Sequence, residues 1–206
     1  MIAASHDSVP RLSDDELRGF VQSAVNPSPR GLRRSIYDYH SSFAIEALEA
    51  ELNDGTELSL IFKNLSPCAL LGEARRVRPS EFYRPEREII VYREILNTAG
   101  LGTATCFGSL IDQQTERYWL LLEKVAAVEL YTIGDLSVWH HVARWLARMH
   151  SQFSASPHVR RLSGALLNYD EHFFNTCFER AKAQVRRRSA ARVTFGGKPQ
   201  SLLPTR

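Results

Sequence analysis

Cysteine is scarce here: Cys68, Cys106 and Cys177 are the three in 206 residues. They are far apart and odd in number, so they make neither a metal-ligand spacing nor a disulfide framework. Each reads as an ordinary buried or half-buried thiol, and a reducing cytoplasm is the expected setting. No apolar run approaches the roughly 20 residues needed to cross a bilayer, so no membrane-spanning segment is expected. Met1 to Pro10 lacks the basic start and apolar stretch of a secretory signal. Acidic residues are missing from 181–206, which holds Lys182, Arg186, Arg187, Arg188, Arg192, Lys198 and Arg206. Setting those seven aside leaves 19 of the 26 basic residues against 23 acidic, so the net charge of +3 belongs to the tail and not to a surface-wide basic patch. Aromatic residues do not interleave with Arg186-Arg187-Arg188, and a solvated tail is the better reading than a nucleic-acid surface.

What is present is an ordinary soluble composition, 44% hydrophobic and 24% charged, in a length suited to one substantial domain or two small lobes. Ser13-Asp14-Asp15-Glu16 has the capping-box pattern, and Leu17, Phe20, Val21 and Ala24 follow at helical spacing. Asn26-Pro27-Ser28-Pro29 then ends a short helix, so 1–30 reads as a capped helix and a proline-rich linker. A strand is expected over Leu32–Tyr37, then a polar loop through Asp38-Tyr39-His40-Ser41-Ser42. Phe43–Leu52 has good helix formers, but Leu48, Ala50 and Leu52 alternate with Glu49 and Glu51. With the turn Asn53-Asp54-Gly55-Thr56 and the continuing alternation of Leu58, Leu60 and Phe62, the spacing predicts a hairpin. Arg84-Pro85-Glu86 begins a helix with the stripe Ile89, Tyr92, Leu96 and Ala99, and Gly100 ends it. Strands near Thr105–Ile111 and Tyr118–Val125 follow, joined by the turn Asp112–Glu116. One helix inserted into an antiparallel sheet excludes a doubly wound parallel fold and makes the class α+β.

After Val125 the pattern turns helical. Val138, Val142, Trp145, Leu146, Met149 and Phe153 share one helix face, with Asp135 placed as its cap. A second helical pattern, Leu166, Leu167, Tyr169, Phe173, Phe174, Cys177 and Phe178, carries enough aromatic bulk to require burial. Beyond Arg188 the periodicity fades toward Gly196-Gly197-Lys198-Pro199 and reads as disordered.

Three features fall in a meaningful order. Leu60-Ile61-Phe62-Lys63 is an apolar strand ending in a lysine, which delivers an ammonium at fixed depth where it can offset phosphate charge. Glu88, on the next helix, borders the buried face with Tyr92 and Ile95 and is placed to hold that lysine extended. Tyr118-Trp119-Leu120-Leu121-Leu122-Glu123-Lys124-Val125 is an apolar strand meeting a charged pair where the helical half begins, and its backbone is suited to read an adenine edge.

With these, Tyr39-His40-Ser41-Ser42-Phe43, Arg87-Glu88-Ile89-Ile90-Val91-Tyr92-Arg93-Glu94, Leu122-Glu123-Lys124-Val125 and Ala143-Arg144-Trp145-Leu146-Ala147-Arg148-Met149-His150 resemble the aminoglycoside phosphotransferase and choline kinase-like superfamily, from about Gly31 to Phe153. The resemblance implies a protein-kinase-like N-lobe over 31–125, a five-stranded antiparallel sheet plus one helix. The first helices of an incomplete helical C-lobe follow over 126–185, and a basic tail over 186–206. It also implies ATP or GTP with magnesium between the lobes, with Lys63, Glu88, Ser41, Ser42, Ile61, Glu123 and Val125 at the nucleotide. Ser41 and Ser42 are then in the short loop over the phosphates.

Catalysis in that superfamily uses a His-x-Asp segment with an asparagine five residues after the aspartate, then a further metal-holding aspartate. The aspartates after Lys63 are Asp112, Asp135 and Asp170. Asp112 falls in a turn and Asp135 at a cap. Asp170 has Asn175 at the right interval, but Asn168-Tyr169 stands where His-x belongs, no aspartate follows, and the segment fits one amphipathic helix. The magnesium site is therefore incomplete and no catalytic residue is assigned; the expectation is a chain that stops before the catalytic loop. His150 reads as a packed or capping imidazole, and His140-His141 point apart on a helix, so they make no metal face. A pseudokinase-like module docking a protein partner through its cleft or through the aromatic face of residues 166–178 is the alternative.

Overall fold

The computed structural model describes residues 11–37, 42–77, 79 and 82–195. It is α+β, with a five-stranded antiparallel sheet followed by several helices. Helix α1 (Asp14–Ala24) precedes strands β1 (Gly31–Ile36), β2 (Ile45–Glu51) and β3 (Glu57–Asn64). Helices α2 (Gly72–Val77) and α3 (Glu86–Ile90) come next, α3 running on as a π-helical turn over Val91–Leu96. Strands β4 (Cys106–Asp112) and β5 (Arg117–Glu123) complete the sheet, in the order β1-β2-β3-β5-β4. Helices α4 (Leu136–Ala155), α5 (Pro157–Arg161) and α6 (Glu171–Phe195) follow. The chain divides into two compact units at Leu166/Leu167. Among the described residues no helix is long and apolar enough to cross a membrane.

Helix α1 starts as its sequence dictates: the Ser13 hydroxyl accepts from the Glu16 amide at 3.3 Å and donates to the Glu16 carboxylate at 3.0 Å. Its apolar stripe does more than stabilise a leader segment. Leu17 and Val21 are fully buried against Leu48, Leu60, Phe62, Trp119 and Leu121, one whole face of the sheet. Two side chains buried to that degree contribute about 1.5–3 kcal/mol each. Phe20 adds edge-on ring contacts with Phe62 and Trp119, at centroid distances of 6.1 and 5.4 Å. Near its end, Ala24 lies so close to β4 that a Cβ on Gly108 would meet the Ala24 methyl at 2.4 Å.

Side-chain alternation assigns the other face of β5 to a second cluster, in which Tyr118, Leu120 and Leu122 pack with Phe43, Leu65 and Ile89. The hairpin between β2 and β3 turns at Gly55, whose φ of +85° is a left-handed conformation that glycine adopts without a Cβ penalty. The β4–β5 turn is held by Asp112, whose carboxylate accepts from the amides of Gln114 and Thr115 and from the Thr115 hydroxyl.

Several expectations need correction. Helix α2 was not anticipated from the sequence. In α3 the π-helical turn alters the stripe after Ile89: Ile95 is buried, while Leu96 is only half-buried. The expected single helix across 166–178 is instead irregular up to Asp170. Asp170 caps α6, its carboxylate accepting from the Phe173 amide at 2.9 Å and its carbonyl from the Phe174 amide at 3.1 Å. Within that unit the aromatic face is not buried, since Tyr169, Phe174 and Phe178 are exposed while Tyr169 and Phe173 stack edge-on at 4.8 Å. Helix α6 continues through Arg186 and Arg187 to Phe195, so the fading of periodicity beyond Arg188 did not mark a helix end. His150, expected to be packed or capping, is exposed. On α4 the expected face is present: Val138, Val142, Trp145, Met149 and Phe153 are half-buried, Leu146 is exposed, and Asp135 caps the helix by accepting from the Ser137 amide at 2.8 Å.

Candidate functional site

Strand β3 sends Leu60 and Phe62 into the α1-side core, so the residues between and after them, Ile61 and Lys63, face the opposite way, toward α3. The Lys63 ammonium meets the Glu88 carboxylate of α3 at 2.7 Å. Their side chains are 22% and 38% exposed, so the pair is reachable from solvent and its net contribution to stability is of order 0.2–1 kcal/mol. Its main effect is positional. An extended lysine held by a carboxylate presents one cation at a defined height above the sheet.

The register places further side chains on that face. Lys63 lies between Ile45 and Leu120, and Ile61 between Ala47 and Leu122. Ala47 and Leu122 are buried, and Ile61 keeps partial exposure, so Ile61 is the apolar contact the row offers. Ser59, four residues before Lys63 and so about 13 Å from it along an extended strand, lies opposite Glu49. The Glu49 carboxylate accepts from the Ser59 hydroxyl at 2.5 Å and from the Lys124 ammonium at 2.9 Å. Chiefly the Ser59 hydroxyl, with help from Lys124 and against a smaller opposing effect of burial, holds the Glu49 carboxyl below the usual carboxylate range. This polar trio was not anticipated as a unit. The hairpin register, which sets Glu49 across from Ser59, is the signal that could have revealed it.

The remaining expected residues are distributed less simply. Glu123 does not present a free carboxylate: it accepts from the Thr105 amide at 3.1 Å and hydroxyl at 3.0 Å, fastening the start of β4 to the end of β5. The amide of Glu123 donates to the Thr105 carbonyl and that of Lys124 to the Ser59 carbonyl. A ligand edge read by this backbone would therefore begin at Val125, which lies past the strand and is 53% exposed. Ser42 is buried, and its carbonyl accepts from the Leu71 amide at 2.9 Å. Ser41, with Tyr39 and His40, lies outside the described residues.

The geometry thus joins Lys63, Glu88 and Ile61, while the Glu123 carboxylate is engaged with Thr105. Among the described residues no group of three or more His, Cys, Asp or Glu side chains is arranged to hold a metal ion. Comparison with family models, curated proteins and solved structures finds no match for this chain.

Proposed function

We propose that this chain is an aminoglycoside-phosphotransferase-like, kinase-like domain that binds ATP or GTP without itself supplying a complete phosphoryl-transfer site. The observation that carries this reading is the 2.7 Å pair between Lys63 on β3 and Glu88 on α3. A strand lysine fixed by a helix carboxylate is a device for aiming a cation at phosphate oxygens. Ile61, one step back on the same face, supplies an apolar surface for a base, and the backbone from Val125 onward leaves β5 beside the start of β3, about 17 Å along the strand from Lys63. The residues do not fit a magnesium site. These 206 residues contain no His-x-Asp with the required asparagine, and the described part holds no cluster of metal ligands. No transfer step is assigned.

Fluorescence titration with the N-methylanthraniloyl derivatives of ATP and GTP tests the reading. Saturable binding to the full chain that weakens at least tenfold in Lys63→Ala supports it. No binding, or equal binding by that variant, rejects it. A second reading, a pseudokinase-like module that binds a protein partner, is favoured by the exposure of Tyr169, Phe174 and Phe178 at 70%, 59% and 60%. Sedimentation of a clean monomer, with no partner retained in a pull-down, counts against that alternative.

A further inference from the structure

We propose that the cavity bordered by Glu88 at the start of α3 binds a small organic anion, an aromatic or branched aliphatic body carrying one carboxylate. The cavity measures about 310 Å³, at the lower end of the volumes small ligands occupy. Phe43, Leu65, Tyr83 and Val91 supply apolar walls, and Arg84, Arg87 and Glu88 supply the charges. The walls are fixed before any ligand arrives. Phe43 and Leu65 belong to the buried core, the Phe43 and Tyr83 rings lie 6.1 Å apart, and the Tyr83 hydroxyl donates to the Leu65 carbonyl at 2.6 Å. A preformed wall loses little conformational freedom on binding.

The charges choose the sign of the ligand. Glu88 is already offset by the Lys63 ammonium. Arg84 donates one N–H to the Gly164 carbonyl at 2.8 Å, a neutral partner, and among the described residues no carboxylate pairs with it. A guanidinium has five N–H donors, so one carbonyl bond leaves it anchored in place with donors and its full charge to spare. A ligand carboxylate gains charge-assisted hydrogen bonds there, and a planar one gains two in parallel. An amine would meet the Arg84 guanidinium and a carboxylate whose charge Lys63 has claimed. The site shares only Glu88 with the nucleotide reading and does not depend on it.

Calorimetric titration of the full chain with 1-naphthaleneacetate tests the proposal, with 1-naphthaleneacetamide as its neutral counterpart. The acid is expected to bind with a dissociation constant of about 1 mM or tighter, and the amide about tenfold more weakly. Val91→Trp, which fills the cavity, should abolish binding of the acid. Arg84→Gln should weaken it about tenfold, with partial recovery in Arg84→Lys. Equal binding of acid and amide, no binding of the acid, or unchanged binding in a folded Val91→Trp would overturn the proposal. Should either variant unfold, the comparison of acid and amide on the unaltered chain still decides. No readout uses a nucleotide, so this site and the proposed nucleotide site stand or fall separately.

Discussion

Replacing Glu46 by glutamine isolates the energetics of the charge cluster between α1 and the sheet. The Glu46 carboxylate accepts from Arg34 Nε and Nη2, each at 2.7 Å, and from Arg11 at 2.6 Å. Its side chain is 9% exposed and that of Arg34 is 14% exposed. Arg34 reaches on to the Asp14 carboxylate at 2.6 Å and the Leu12 carbonyl at 3.0 Å, so the cluster ties the start of α1 to β1 and β2. Removing one member of a buried pair leaves the other charge uncompensated and typically costs about 3–5 kcal/mol. Asp14, 82% exposed, still pairs with Arg34, so the lower end, about 3 kcal/mol, is expected for Glu46→Gln. Burial pushes the Glu46 carboxyl up, but the hydrogen bonds from Arg34 and Arg11 outweigh it and hold the group below its usual value. A carboxyl depressed in the folded state stabilises fully above its unfolded pKa and loses that contribution as pH falls through its folded pKa. Urea denaturation of both proteins at neutral pH and in a descending acid series measures this. The stability gap should be wide at neutral pH and narrow in acid. A gap under about 0.5 kcal/mol at neutral pH, or one that widens in acid, refutes the argument.

Three further outcomes follow from the same geometry. Gly108→Ala sets two methyl carbons 2.4 Å apart, and neither can rotate away, so α1 must shift. A loss of about 1–3 kcal/mol in thermal or urea melts is expected, largely recovered when Ala24→Gly is added. Ser13→Ala removes the cap of α1 and should cost about 0.5–2 kcal/mol by urea denaturation, leaving the other helices unchanged by circular dichroism. Lys63→Met should alter stability by less than about 1 kcal/mol, because the pair is solvent-reachable; a larger loss by chemical denaturation would assign the lysine to the fold instead of to a ligand.

The strands were legible in the sequence because alternation is a local signal: Leu48-Glu49-Ala50-Glu51 and Leu58 through Phe62 read directly as two edges of a hairpin. So were the α1 cap at Ser13, the α4 cap at Asp135, and the pairing of Lys63 with Glu88, expected from a carboxylate that borders the buried face of the helix after the lysine strand and from the kinase-like pattern. What escaped were consequences of tertiary packing. The stripe of α1 announced an amphipathic helix but not that its partner would be the far face of the sheet. Nothing in Ser41-Ser42-Phe43 told that Ser42 would be buried, since the Leu71 amide that its carbonyl meets is remote in the chain. The π-helical turn after Ile90 has no composition of its own. Glu123, read as a charged end to a strand, spends its carboxylate on Thr105, a choice set by the pairing of β4 and β5. At α6, capping chemistry around Asp170 outweighed the apparent period of the residues before it.

The packing of α1 has a practical meaning for how this protein can be cut. Residues 31–125 contain every strand found among the described residues and look like a self-sufficient unit, yet they omit Leu17, Phe20 and Val21. A fragment starting at Gly31 would offer Leu48, Leu60, Phe62, Trp119 and Leu121 to water as one continuous apolar sheet face, the kind of surface through which chains associate and precipitate. The smallest soluble piece therefore starts no later than Arg11, where the charge cluster around Glu46 begins. Supplied separately, a peptide spanning Arg11–Val25 should rescue the solubility of the shorter fragment by covering that face.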